Sequence, residues 1–126
     1  MTRNDTRPDP YMQLLGIEVL EAGEGRAALR ATVRPEHLNL HGTAHGGFTY
    51  SLADAAFALA SNSREAVAVA LSATMQYFRP LREGDTVTAE ASEEHLGRST
   101  ASYRVLVTVG GKPAALFNGT VFRRER

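Results

Sequence analysis

Apolar positions along the chain switch between a strand period and a helix period. Residues 10–15 suit one helical turn, ended by Gly16. Residues 17–21 and 26–33 read as strands joined at Gly23-Glu24-Gly25. In the second, Ala27, Leu29, Ala31 and Val33 alternate with Ala28, Arg30 and Thr32, the pattern of a half-buried strand. Pro35 stops it, and residues 36–44 are expected to be loop or a single turn. Residues 45–61, HGGFTYSLADAAFALAS, then read as one helix, apolar nearly all the way round and rich in alanine. Such a helix belongs inside the molecule. Phe48, Leu52, Ala55 and Leu59 form its bulkier stripe, and Gly47, Ser51, Asp54, Ala58 and Ser61 a small and polar one. Residues 66–78 form a long strand with Val67, Val69, Leu71, Ala73, Met75 and Tyr77 on one face. Further strands are expected over 86–93, along Ala101, Tyr103, Val105, Val107 and Val109, and over 113–122. Gly110-Gly111 is a two-residue hairpin signal between the last two.

This order predicts an α+β fold in which an antiparallel sheet of about six strands wraps one long central helix, the only element available to cover it. At 126 residues the chain suits a single domain, 1–126, with 1–9 as a lead-in and 123–126 as a charged tail. Small residues on the long strand leave an edge that a second copy could occupy.

Composition removes several kinds of chemistry. Fourteen basic residues balance fourteen acidic ones, so charge gives no case for nucleic acid or an anionic membrane. The absence of cysteine excludes disulfides, thiol catalysis and cysteine-bound zinc. No signal-peptide core or membrane-spanning stretch is visible, so a cytoplasmic protein is expected. His37, His41 and His45 would make a metal stripe on a continuous helix, but Pro35, Asn39, Gly42 and the glycine pair argue against one. No metal site is expected.

Two features remain. His45-Gly46-Gly47 opens the central helix, where backbone N–H groups lack partners and carry the positive end of the dipole. Without side chains there, a carbonyl oxygen could approach those donors, making an oxyanion site. The same glycines could simply allow a tight turn into the helix. Asp54 is a lone carboxylate on an apolar helix, either a general base whose pKa is raised by burial or a structural acceptor that fixes a dimer register. It lies eight residues beyond Gly46, roughly 12 Å along the axis. Both can serve one substrate only if they come from different subunits. Arg79, Arg82 and Arg98 could hold an anionic tail at the strand ends or be solvated surface charge.

The stretch NLHGTAHGGFTYSLADAAFALASNS and the later run MQYFRPLREGD resemble the hotdog-fold acyl-CoA thioesterases of the phenylacetate-pathway, PaaI-like type. The strand-strand-helix-meander plan agrees from about Gly16 to Phe122. The resemblance implies that the Gly46 amide polarises the thioester carbonyl, that His45 and Asn39 orient the thioester or water, and that Asp54 of the opposite subunit is nucleophile or general base. It places Ser72 where a strand serine or threonine holds the attacking water. It implies an acyl-CoA substrate, no cofactor beyond the coenzyme A of that substrate, and assembly as a dimer of dimers. Gly47, Tyr50, Arg79 and Arg82 are the expected substrate-binding residues. Phe48, Tyr50 and Phe57 suit an aromatic or medium-chain acyl group, although core packing explains aromatics equally well. A non-catalytic acyl-CoA binding module and a hotdog dehydratase or hydratase are the alternatives. The dehydratase would need a histidine paired with a carboxylate, and the binding module would not need Asp54.

Overall fold

A computed structural model of the chain describes residues 7–125. Six strands form one antiparallel sheet in the order β1-β2-β4-β5-β6-β3. The strands are β1 (Glu18–Gly23), β2 (Arg26–Thr32), β3 (Val67–Tyr77), β4 (Thr86–Leu96), β5 (Thr100–Val109) and β6 (Lys112–Arg124). A short helix, α1 (Pro10–Leu15), precedes them, and the long helix, α2 (Gly46–Ser61), lies between β2 and β3. The expected α+β plan is therefore present, with the sheet curved around α2.

The inner face of the sheet shows why the helix fits. Ala27, Ala31, Ala89, Ala91, Ala101 and Ala115 are buried there, and α2 answers with Ala53, Ala56 and Ala60. Small residues on both sides let helix and sheet approach closely, and large side chains fill what remains. Phe57 packs against Tyr103 and Phe117, with ring centroids 5.9 and 5.2 Å away. Phe57 also lies close over Gly119. A Cβ added at Gly119 on β6 would lie 2.6 Å from Phe57 Cζ and 3.0 Å from Phe117 Cε1. Gly119→Ala is therefore expected to lower unfolding stability by about 1–3 kcal/mol through overpacking. Urea denaturation measures this, and an unchanged midpoint would refute it.

Several local expectations meet corrections. The sheet covers only one side of α2: Gly47, Tyr50 and Ala58 are exposed and Ser51 and Asp54 half-exposed in the single chain, while Ser61 is buried. The long strand does not keep one face throughout. A bulge between Ala70 and Ser72 shifts its register against β6 and reverses the side-chain phase. Val69 and Leu71 are consequently 52% and 60% exposed, whereas Ala73 and Met75 turn towards the core. β4 and β6 also run beyond their expected ends, to Leu96 and Arg124.

At the N-terminal end, the Asp9 side chain accepts a 2.8 Å hydrogen bond from Met12 N and caps α1. Residues 1–6 of the expected lead-in, and residue 126 of the expected tail, lie outside the described residues. The Gly110-Gly111 hairpin is as expected. Both glycines have positive φ, 58° and 77°, as a tight β5–β6 connection of this twist requires.

Candidate active site

The segment leading into α2 is built from the chain's own polar groups. Pro35–His37 makes a 3-10 turn, and a bridge between Leu38 and Ala44 closes the loop that follows. Asn39 shapes that loop from inside. Its Oδ1 accepts from His41 N at 2.9 Å and Thr43 N at 3.2 Å, and its Nδ2 donates to Thr43 Oγ1 at 3.1 Å. Two further backbone bonds fix the helix start: His45 N to His37 O and Ala44 N to Leu81 O, both 2.8 Å.

His45 is the N-cap of α2, and its Nδ1 accepts from Gly47 N at 2.9 Å. That bond satisfies one of the donors a helix start leaves open. The Gly46 N–H, by contrast, has no acceptor among the described residues. It stands at the positive end of a 16-residue helix. Tyr77, at the end of β3, donates its hydroxyl to Gly46 O at 2.9 Å and ties helix to strand. Between them opens a cleft of about 230 Å³, walled by Gly46 and Thr49 on the helix side and by Tyr77, Phe78 and Arg79 on the other. A helix start with an unpartnered N–H and an arginine, both lining one cleft, suit a substrate with a polarisable carbonyl and an anionic portion.

Asp54 lies two turns further along α2, on the side the sheet leaves open. Burial raises its pKa, and it has no hydrogen bond or ion pair among the described residues. A half-buried carboxylate without a cation is more basic than usual, as a proton acceptor needs to be. Tyr50 occupies the same open side, edge-on to Phe117 at 5.5 Å.

The single chain thus brings Gly46 and Arg79 together, with His45 and Gly47 beside them. Asp54 and Ser72 do not line this cleft. Ser72 is exposed on β3 beside the bulge, opposite Thr120. Arg82 lies outside the cleft lining, and its N–H donates to Asp85 Oδ2 at 2.8 Å. The histidines separate. His37 is buried and stacked on Phe48, with centroids 4.1 Å apart, and burial and then Arg34 lower its pKa. His41 is exposed. Among the described residues, no three His, Cys, Asp or Glu side chains are grouped to hold a metal.

Sequence reasoning missed Tyr77, Phe78 and Thr49 as lining residues. The signal present was the aromatic pair immediately before Arg79-Pro80, where a strand must end.

A family model described as the thioesterase superfamily matches residues 41–114. A putative esterase of Deinococcus radiodurans is 47% identical over 118 residues, covering 92% of this chain and 80% of that protein. The acyl-coenzyme A thioesterase PaaI of Escherichia coli is 41% identical over 116 residues, covering 91% and 83%. Among solved structures, a mutant of the phenylacetic acid degradation protein PaaI from Thermus thermophilus superposes with a TM-score of 0.90 at 59% identity, covering 92% and 100%. With the sheet, the helix and this match over most of its length, the chain belongs to the thioesterase superfamily, as a hotdog thioesterase of the PaaI-like type.

Proposed function

We propose that the thioester this protein hydrolyses is an acyl-CoA, with phenylacetyl-type or medium-chain acyl groups, giving the free acid and coenzyme A. The observation that carries this reading is the unpartnered Gly46 N–H on a cleft that also holds Arg79. The thioester carbonyl oxygen accepts from Gly46 N–H, where the helix dipole favours the negative charge that develops during attack. Arg79 and Arg82 take the phosphates of coenzyme A, and Gly47 leaves room beside them. Tyr50, on the open side of α2, lines the acyl pocket.

Asp54 reaches that carbonyl from a second copy. β3 is an edge strand eleven residues long with no charged side chain, a ready template for pairing. Two such edges paired about a two-fold axis set the open sides of the two α2 helices side by side and antiparallel. Asp54 of one then faces Gly46 of the other, and two such dimers associate. As nucleophile, the carboxylate displaces the CoA thiolate and forms an acyl anhydride that water cleaves. As general base, it takes the proton from a water held by Ser72 while that water attacks directly. His45 and Asn39 keep the thioester and water in line. Neither route needs a metal or an organic cofactor.

The protein acts in the cytoplasm, without nucleic acid or membrane partners. Balanced charge supports this, and among the described residues no helix is long and apolar enough to cross a membrane.

Free-thiol release from a panel of acyl-CoAs tests the proposal. The panel runs from acetyl through hexanoyl to phenylacetyl and hydroxyphenylacetyl. The expected result is turnover, with kcat/KM for phenylacetyl or hexanoyl exceeding that for acetyl by about tenfold or more, as burial of several further carbons in an apolar pocket requires. Failure to cleave any member would refute acyl-CoA as the substrate class.

A further inference from the structure

The roles assigned above leave the Tyr77 hydroxyl unexplained. It donates to Gly46 O at 2.9 Å. That carbonyl shares a peptide group with the Gly47 N–H, which donates to His45 Nδ1 at 2.9 Å. The result is an unbroken series from Tyr77 Oη, through the Gly46–Gly47 peptide, to the His45 imidazole. Hydrogen bonds in series polarise one another, so donation to the carbonyl makes the N–H of the same peptide a stronger donor. A ring nitrogen that accepts cannot also carry the proton. The neutral His45 ring therefore holds its hydrogen at Nε2.

We infer that Tyr77 is a positioning residue: through the Gly46–Gly47 peptide it holds His45 in the Nε2–H tautomer, and so presents that N–H to the thioester carbonyl beside the Gly46 N–H. The inference rests on the thioesterase reading for the carbonyl that receives these donors. The surrounding geometry is made for it. A Cβ at Gly47 would lie only 3.0 Å from His45 Nδ1, so the imidazole can keep this orientation because residue 47 has no side chain. A Cβ at Gly46 would lie 3.4 Å from Tyr77 Oη, so the tyrosine ring rests against the helix start. The end of β3 is fixed in turn, since Phe78 N and Arg79 N both donate to Ala114 O, at 2.8 and 3.2 Å. Burial also raises the Tyr77 pKa, so the hydroxyl keeps the proton it donates across the neutral range.

Two-bond proton–nitrogen spectra of the full protein, labelled with nitrogen-15 at histidine, read the tautomer without substrate. His45→Gln assigns the resonances. The wild type is expected to show an unprotonated Nδ1 and a protonated Nε2 at His45. Tyr77→Phe should shift this towards a mixture of tautomers and lower kcat about five- to tenfold with KM unchanged, the loss of one hydrogen bond felt at the transition state. Gly47→Ala, which displaces the ring from the other end, should give the same mixture and supplies the answer if Tyr77→Phe does not fold. A variant that keeps the single wild-type tautomer overturns the proposal, as does a mixture with undiminished kcat. If the wild type cleaves no thioester, the functional reading fails, while the spectra still decide whether Tyr77 sets the ring.

Discussion

Asp54→Asn is expected to remove hydrolysis, lowering kcat by about 10²–10⁴-fold, while the fold persists. Asparagine keeps the shape of the side chain but can neither accept the proton of water nor attack a carbonyl. Its effect on folding should have the opposite sign. Burial is what raises the Asp54 pKa, and no cation compensates the charge among the described residues. The folded state therefore favours the protonated carboxyl more than the unfolded state does. The stability this contributes is fully present below the unfolded carboxylate pKa and is lost as pH rises through the folded one. The uncharged amide of Asp54→Asn suffers no such loss, so the variant should match the wild type in acid and exceed it above the folded pKa. Unfolding midpoints across pH, measured beside thiol release, check both halves. A variant that still cleaves would return Asp54 to a structural role.

Gly46→Pro should be almost as damaging to activity, with little effect on the fold. Gly46 is the first residue of α2, where proline is favoured because the missing N–H has no helical partner. His45 before it is extended, at φ −59° and ψ 138°, as a residue preceding proline prefers. The donor to the oxyanion disappears, and the ring Cδ takes the place of its hydrogen. A kcat loss of about 10²–10³-fold is expected, whereas Gly46→Ala, which keeps the N–H, should retain most activity. The two inactive variants together test the subunit arrangement. A mixed dimer of Gly46→Pro and Asp54→Asn chains contains one site with both wild-type groups if the site spans the interface, so co-expression should restore turnover. A mixture as inactive as its parents would place both groups in one chain.

Much of this architecture was legible because strand alternation records burial directly. Ala27, Leu29 and Ala31 point inward as their spacing requires. The covered side of α2 was less legible, because alanine suits both a packed and an open surface and so blurs the amphipathic contrast. The phase reversal in β3 was hidden as well. Val67, Val69 and Leu71 continue the alternation on to Ala73 and Met75, and only pairing with β6 exposes the bulge. At the site, Gly46 and Arg79 could be picked out by local chemistry, a glycine pair opening a helix and a cation at a strand end. Tyr77 could not. Its partner is a backbone carbonyl 31 residues away, and a backbone carbonyl leaves no trace in the residue type that carries it.

The strand order also imposes a schedule on the growing chain. Among the described residues of one chain β3 pairs only with β6, so that ladder cannot form until residues 78–111 have been made and β6 follows them. At ~5–20 residues per second, the uncharged run of β3 spends seconds on the ribosome without its strand partner. The β1–β2 hairpin can form first and β4 adds to β2, so the sheet grows from that edge and its far edge closes last. The surface proposed to join two subunits is thus the last to be completed, and assembly waits for the final strand.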